Sequence, residues 1–317
     1  MRAPVTKQQL SVLLTVLILL ALSGQALAMV KGNYIYSLSN FTGTIPYDWA
    51  RVSVDKARNE VYVLYQNVIR VFNENGMEIY RFGEDLDLGH ILDVAIDRDG
   101  DILLLSYTMV NGEPKGSISR CDYRGEPISK IEWKNLPPEY SDFLPNRMVY
   151  KNGDLYFISL MGLKVVITDS DGNFKKGYDL FSLLELEEKD RGNVEVSGFS
   201  VDDRGNILFT VAVLFKAYVL SPDGKLSMFG KPGGAPGRFN VVAGIVADSK
   251  GNFLIADKLK SAIIVFDNKF NFLTQFGYRG FKPGNLIVPD DIAIDRQDRI
   301  FVTQARKRGV SVFKLTY

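Results

Sequence analysis

From Phe229 onward the chain makes nearly the same statement twice. The stretch FGKPGGAPGRFNVVAGIVAD, residues 229–248, returns as FGYRGFKPGNLIVPDDIAID, residues 276–295. Each copy joins a Gly/Pro-rich loop to an apolar strand ending in Asp, and a polar turn leads into a second strand. After the first copy the strands read FLIAD, AIIVFD and FLTQF. A unit of this length cannot bury its apolar side chains alone, so it must stack on copies of itself. Four short strands per unit make each one a propeller blade.

The apolar strand ending in Asp recurs upstream. It reads VSVD at Asp55, VAID at Asp97, FSVD at Asp202, IVAD at Asp248 and IAID at Asp295. The third unit is degenerate, with MVYKNG placing Tyr150 at the Asp position and Gly153 at the turn glycine. The six anchors stand 42 to 53 residues apart, which suits one four-stranded blade each. A second marker is the large apolar residue closing the third strand: Phe72, Leu220, Phe266 and Phe313, with Cys121 and Thr168 in the same slot. Cys121 therefore reads as a small buried hydrophobe.

The termini explain each other. The sixth unit stops at VSVFKLTY, after its third strand, while the segment NYIYSLSNFTGTIP near the start matches a fourth strand and its exit loop. Tyr34 to Leu38 should thus be the outer strand of the last blade, removing the sheet edges of an open array. The expected fold is all-β, a six-bladed β-propeller closed by an N-terminal outer strand, spanning residues 29–317 as one domain. Three insertions break the rhythm: Met109 to Gly116, Lys134 to Pro145, and DLFSLLELEEKDRGNVEV, whose leucines predict a short surface helix. All three should decorate one face, and insertions on one face of a repeat array often mark the binding side.

The wording FG-x-x-G-x-x-x-G-x-[FL] before an apolar-Asp strand resembles the NHL repeat, closely in the last two units and less so upstream. That resemblance implies a propeller that hosts binding scaffolds and enzymes alike. Among secreted propellers of this kind are amidating lyases with His-bound zinc, but a single His, His90, and a single Cys, Cys121, cannot build that site. His90 falls in the loop before blade 2. Positions where the family commonly has Asn and Arg hold Lys260 and Ala262 in blade 5, and Lys307 and Gly309 in blade 6.

The first residues read as a targeting segment. Arg2 and Lys7 precede the uncharged run Leu10 to Leu22, and Ala26-Leu27-Ala28 gives a small-x-small cleavage pattern. Residues 1–28 are expected to be a cleaved signal peptide, with a periplasmic or extracellular destination and no membrane insertion afterwards. Thirteen apolar residues are too few to span a bilayer. The whole chain has 38 basic and 37 acidic residues, so removing Arg2 and Lys7 leaves a net charge of −1. That balance gives no pull toward nucleic acid. A monomer is expected.

Other chemistries weaken on inspection. Gly230 to Gly237 is glycine-rich, but a strand follows it where a phosphate loop needs a helix and a Lys-Ser/Thr pair. No G-x-S-x-G occurs, and a Ser-His-Asp arrangement would have to use His90. Propeller lactonases hold calcium at the channel mouth, which here carries Arg51, Asp93, Asn146, Gly198, Gly244 and Asp291, four residues before each anchor. Asp93, Asn146 and Asp291 are the calcium candidates, and Arg51 between the two Asp favours an ion-pair network. No other cofactor is expected.

Charge is divided across the loops. Those of blades 5 and 6 carry Lys231, Arg238, Lys258, Lys260, Arg279, Lys282, Arg306, Lys307 and Arg308. Those around blades 2 to 4 carry Glu84, Asp85, Asp87, Glu139, Asp142, Glu185, Glu187, Glu188 and Asp190. Opposed fields can exist on one surface at near-zero net charge. Two functions stay open: a scaffold docking a protein or peptide, acidic if the basic side is used, or a calcium- or carboxylate-dependent hydrolase or lyase at the channel mouth.

Overall fold

The computed structural model describes residues 30–84 and 88–317. The leader, and the acidic residues Asp85 and Asp87, lie outside the described residues. Six four-stranded antiparallel sheets follow one another along the chain, each ordered from an inner strand to an outer one. The inner strands are Arg51–Asp55, His90–Ile96, Arg147–Lys151, Gly198–Val201, Val242–Ala247 and Pro289–Ile294. The fold is the expected six-bladed propeller. Its last blade is completed by Lys31–Ser37, which pairs antiparallel with the C-terminal strand Val310–Thr316, Tyr34 opposite Phe313.

The core lies in the seams. The middle strands of the blades supply most of it, in apolar runs buried on both faces such as Ile207–Val211 and Ala262–Phe266. Among the described residues six apolar clusters result, each built from two neighbouring blades. Cys121 sits fully buried in the cluster between blades 1 and 2, where burial pushes its thiol up to about 11. Such a thiol is inert packing.

Polar ties cross the seams near the channel. Ser53 donates to the Val94 carbonyl at 2.7 Å, and Ser200 to that of Ile245 at 2.6 Å. Glycine allows two inner strands to come closer still. A Cβ on Gly198 would stand 2.2 Å from the Ala243 carbonyl oxygen, and one on Gly244 would stand 2.8 Å from that of Asp290.

The repeating Asp has a local purpose. Asp97 Oδ1 accepts the backbone N–H of Asp99, Gly100 and Asp101 at 2.9 to 3.0 Å, and Asp202, Asp248 and Asp295 close their turns likewise. Such carboxylates are consumed by turn formation. Blade 3 is built differently. Its turn is the two-residue hairpin Asn152-Gly153, with φ of 54° and 90°, which needs no carboxylate. This shortening moves the register, and Lys151, opposite Asp154, takes the place that the sequence spacing gave to Tyr150.

The insertions lie where expected, on the face of inter-blade loops and second-to-third-strand turns. Ile102–Val110 and Glu113–Cys121 form a long hairpin, and Asp179 caps the one-turn helix Leu180–Leu183. Among the described residues no helix is long and apolar enough to cross a membrane.

Candidate functional site

The channel carries a ring of residues where the inner strands begin. Arg51 pairs with Leu64, Asp93 with Leu105 and Gly198 with Thr210, three residues along the second strand from Val61, Ile102 and Ile207. The equivalent pair in blade 3 is Arg147 with Ile158. The shortened turn therefore displaces Asn146 from the ring and puts Arg147 in it. Asn146 instead accepts the Leu160 N–H at 2.9 Å, tying its loop to the neighbouring turn. Around the ring the order is Asp291, Arg51, Asp93, Arg147, Gly198, Gly244.

The two ring carboxylates hold blades together. Asp291 Oδ2 accepts the Val52 N–H at 3.1 Å, from blade 6 to blade 1, and lies 3.9 Å from Arg51. Asp93 accepts from Met148 at 2.9 Å, from blade 2 to blade 3, and from Val94 at 3.0 Å. Burial pushes Asp93 up to about 7, against the pull of the Met148 N–H and Arg51. Burial also raises Asp291, with Arg51 opposing. A calcium ion needs six or more oxygens free to converge. Here the carboxylates are spoken for by backbone donors and separated by a guanidinium, so Asp93, Asn146 and Asp291 do not fit that ion. Among the described residues no group of three His, Cys, Asp or Glu side chains converges as a metal would require.

Below the ring the channel holds a cavity of about 920 Å³. Among the described residues its lining stops at the level of Asp93, Arg147 and Asp291 and includes none from the inter-blade loops. It opens instead among the first-to-second-strand turns, on the opposite face. There Lys56 of blade 1 and Lys151 of blade 3 both reach Asp203 of blade 4, with Lys56 Nζ 3.3 Å from its Oδ1. Burial pushes the Asp203 carboxyl up, but the two ammonium groups together bring it below the ordinary range.

The predicted basic residues divide into two sets. Lys258 is bound 2.7 Å from Asp290, and Lys260 donates to the carbonyls of Gly234 and Ala235 at 3.1 and 2.7 Å. Burial lowers the Lys260 pKa accordingly. Lys231, Arg238, Arg279, Lys282, Arg306 and Lys307 are exposed, and Arg308 stacks over Phe281 at 5.7 Å. On the acidic side, Asp142 is engaged by Lys164, Glu187 by Lys189 and Glu188 by Arg191. His90 is exposed at the start of an inner strand, its ring 5.1 Å from that of Tyr107. The glycine-rich loop closes on itself through Phe239, whose N–H reaches the Lys231 carbonyl at 2.9 Å.

The structure adds residues that the sequence pattern did not single out. Met161, Val213 and Leu259 crown the second-to-third-strand turns of blades 3, 4 and 5, at 70%, 54% and 68% exposure. Phe281, Trp49 and Leu144 stand out from inter-blade loops on the same face. Trp49 adopts a left-handed φ of 56° beneath Lys258, and Val288, two residues before Asp290, has φ of 47°. Left-handed backbone at bulky or β-branched residues is strained and concentrates at functional surfaces. Apolar residues in turns that ordinarily hold polar ones were the available signal.

No protein-family pattern and no curated protein matches this sequence, and likeness appears at the level of fold. An auxiliary nutrient binding protein from Bacteroides thetaiotaomicron matches at a TM-score of 0.62 and 14% identity, over 92% of this chain and 77% of that one. A second such protein, from Bacteroides ovatus, matches at 0.59 and 12%, over 92% and 78%. Virginiamycin B lyase from Staphylococcus aureus matches at 0.56 and 13%, over 91% and 99%. At these identities the comparisons establish the propeller fold, which binding proteins and enzymes share.

Proposed function

We propose that this chain is an exported binding scaffold with NHL-type repeats, which docks an acidic protein or peptide on its inter-blade loop face. The observation that carries this reading is the set of exposed apolar side chains on one face, Met161, Val213 and Leu259 on the turns of three successive blades and Phe281 on the loop between blades 5 and 6, with the exposed cations of blades 5 and 6 on the same face. Contiguous exposed apolar surface rimmed by charge marks protein interaction sites. Cleavage after Ala28 would release the propeller to the periplasm or the outside as a monomer. Two of the structurally similar proteins are named as binding proteins, in keeping with this reading.

A carboxylate-based hydrolase or lyase has one feature in its favour: Asp93 borders the channel, and burial raises its carboxyl to about 7. Both its oxygens are engaged by backbone N–H groups, which makes blade coupling the better account.

The test is recovery of partners from the native envelope or secreted fraction. Wild type is compared with a variant in which Lys231, Arg279, Lys282, Arg306 and Lys307 become Glu. Rim charges act chiefly on encounter rate and are screened over about 8 Å at physiological salt. Wild type should hold an acidic partner at low salt that the variant loses. Identical recovery by both proteins at every salt level would leave the basic side as ordinary solvated surface.

A further inference from the structure

We propose that the channel cavity is a second binding site, entered from the face opposite the inter-blade loops, for an organic carboxylate with an apolar body. Its volume, about 920 Å³, is that of a small-molecule pocket. Its lining between ceiling and mouth mixes the half-buried apolar Val54, Ile96, Val149 and Phe199 with the polar Ser53 and Ser200. Its ceiling is the charged ring, and its mouth is crossed by the Lys56–Asp203–Lys151 strap.

The strap is the recognition element. Two ammonium groups from blades 1 and 3 share one carboxylate from blade 4, so the three groups carry a net positive charge. Lys151 is available because blade 3 alone makes its turn without an Asp, and a lysine stands where five blades have a carboxylate. Lys151 is largely buried, with 15% of its side chain exposed, while Asp203 is 66% exposed at the tip of a turn. Apart from the two lysines, no side chain or backbone N–H bonds the Asp203 carboxylate among the described residues. A ligand carboxylate can take its place between two lysines already positioned for it.

The remaining carboxylates at this end are already bound. Asp55, Asp97 and Asp295 pair with Arg58, Arg120 and Arg299. Asp202 is held by its turn and Asn206, and Asp298 accepts from Ser249 at 2.6 Å. Arg98 and Arg296, from the blades on either side of Lys56, are exposed on the same rim.

The probe is octanoate, titrated calorimetrically into the mature full-length chain, with octanol as the uncharged control. Wild type should bind octanoate saturably at one site, at least about tenfold more tightly than octanol. Lys56→Met with Lys151→Met should weaken octanoate at least about tenfold. Asp203→Asn, which removes the competing carboxylate without touching a lysine, should tighten it several-fold, and this variant decides the matter if the double one fails to fold. The loop-face reversal described above should leave octanoate binding unchanged, which separates this site from the docking surface. The proposal is overturned if octanol binds as well as octanoate, if Asp203→Asn does not tighten binding, if the loop-face reversal abolishes it, or if neither wild type nor Asp203→Asn binds octanoate.

Discussion

Lys258 Nζ stands 2.7 Å from Asp290 Oδ1, joining the second-to-third-strand turn of blade 5 to the first residues of blade 6. The same ammonium lies 5.0 Å from the centre of the Trp49 ring, so a loop entering blade 1 is held at this point too. Asp290 has only 10% of its side chain exposed. Removing its partner leaves a buried charge uncompensated, which costs about 3–5 kcal/mol. Lys258→Ala should therefore lower the melting temperature by about 10 °C. Lys258→Met combined with Asp290→Asn should recover most of that loss. A Lys258→Ala protein that melts with wild type would mean that the pair is only a surface contact.

Ring closure gives a second expectation. The strand Lys31–Ser37 covers the C-terminal strand, and Leu38 behind it is 1% exposed in the seam between blades 6 and 1. Deleting residues 29–38 uncovers that edge and empties the Leu38 site, for which Leu→Ala alone costs about 2–5 kcal/mol. The truncated chain should melt at least about 10 °C below the parent in a calorimetric scan. An unchanged midpoint would contradict closure by this strand.

The fold was legible because five of the six blades repeat the same pattern: an apolar inner strand, an Asp that closes a turn, and a buried second strand. Asp97 and Asp248 announce their turns because the carboxylate is a structural part of them. Blade 3 misled the alignment for a physical reason. An Asn-Gly hairpin makes the same reversal with one residue fewer, so counting from Gly153 shifts Asn146 into a ring that Arg147 occupies. Alignment on the buried second strand, Leu155 with Val61 and Ile102, would have placed it. The loop cations were legible as a group but not as individuals. Nothing local in the sequence says that Lys258 is spent on Asp290, or that Lys260 binds two carbonyls 25 and 26 residues away.

Stability should also depend on the ionisation of Asp93. Its folded-state pKa is raised from 3.8 to about 7, so the protonated form suits the fold better than the charged one. Its contribution is therefore present in full below about pH 4 and lost as pH rises through 7, a swing on the order of 4 kcal/mol. Burial raises Asp248 and Asp291 in the same sense. Lowered carboxylates such as Asp169 and Asp203 act in the opposite sense, losing their contribution only as pH falls below about 4. Between pH 5 and 8 the melting temperature of wild type should fall, and Asp93→Asn should flatten that decline. Parallel curves for the two proteins would show that Asp93 is ionised throughout.

The central claim, that the inter-blade loop face docks an acidic protein, is tested most directly by site-specific photocrosslinking in the native host. A photoreactive residue replaces Met161 or Leu259 on that face, and Arg98 on the opposite face serves as the control. The account predicts a discrete protein adduct from positions 161 and 259, none from position 98, and loss of the adduct when the exposed cations of blades 5 and 6 are reversed. No adduct from the loop face, or the same adduct from both faces, would contradict it.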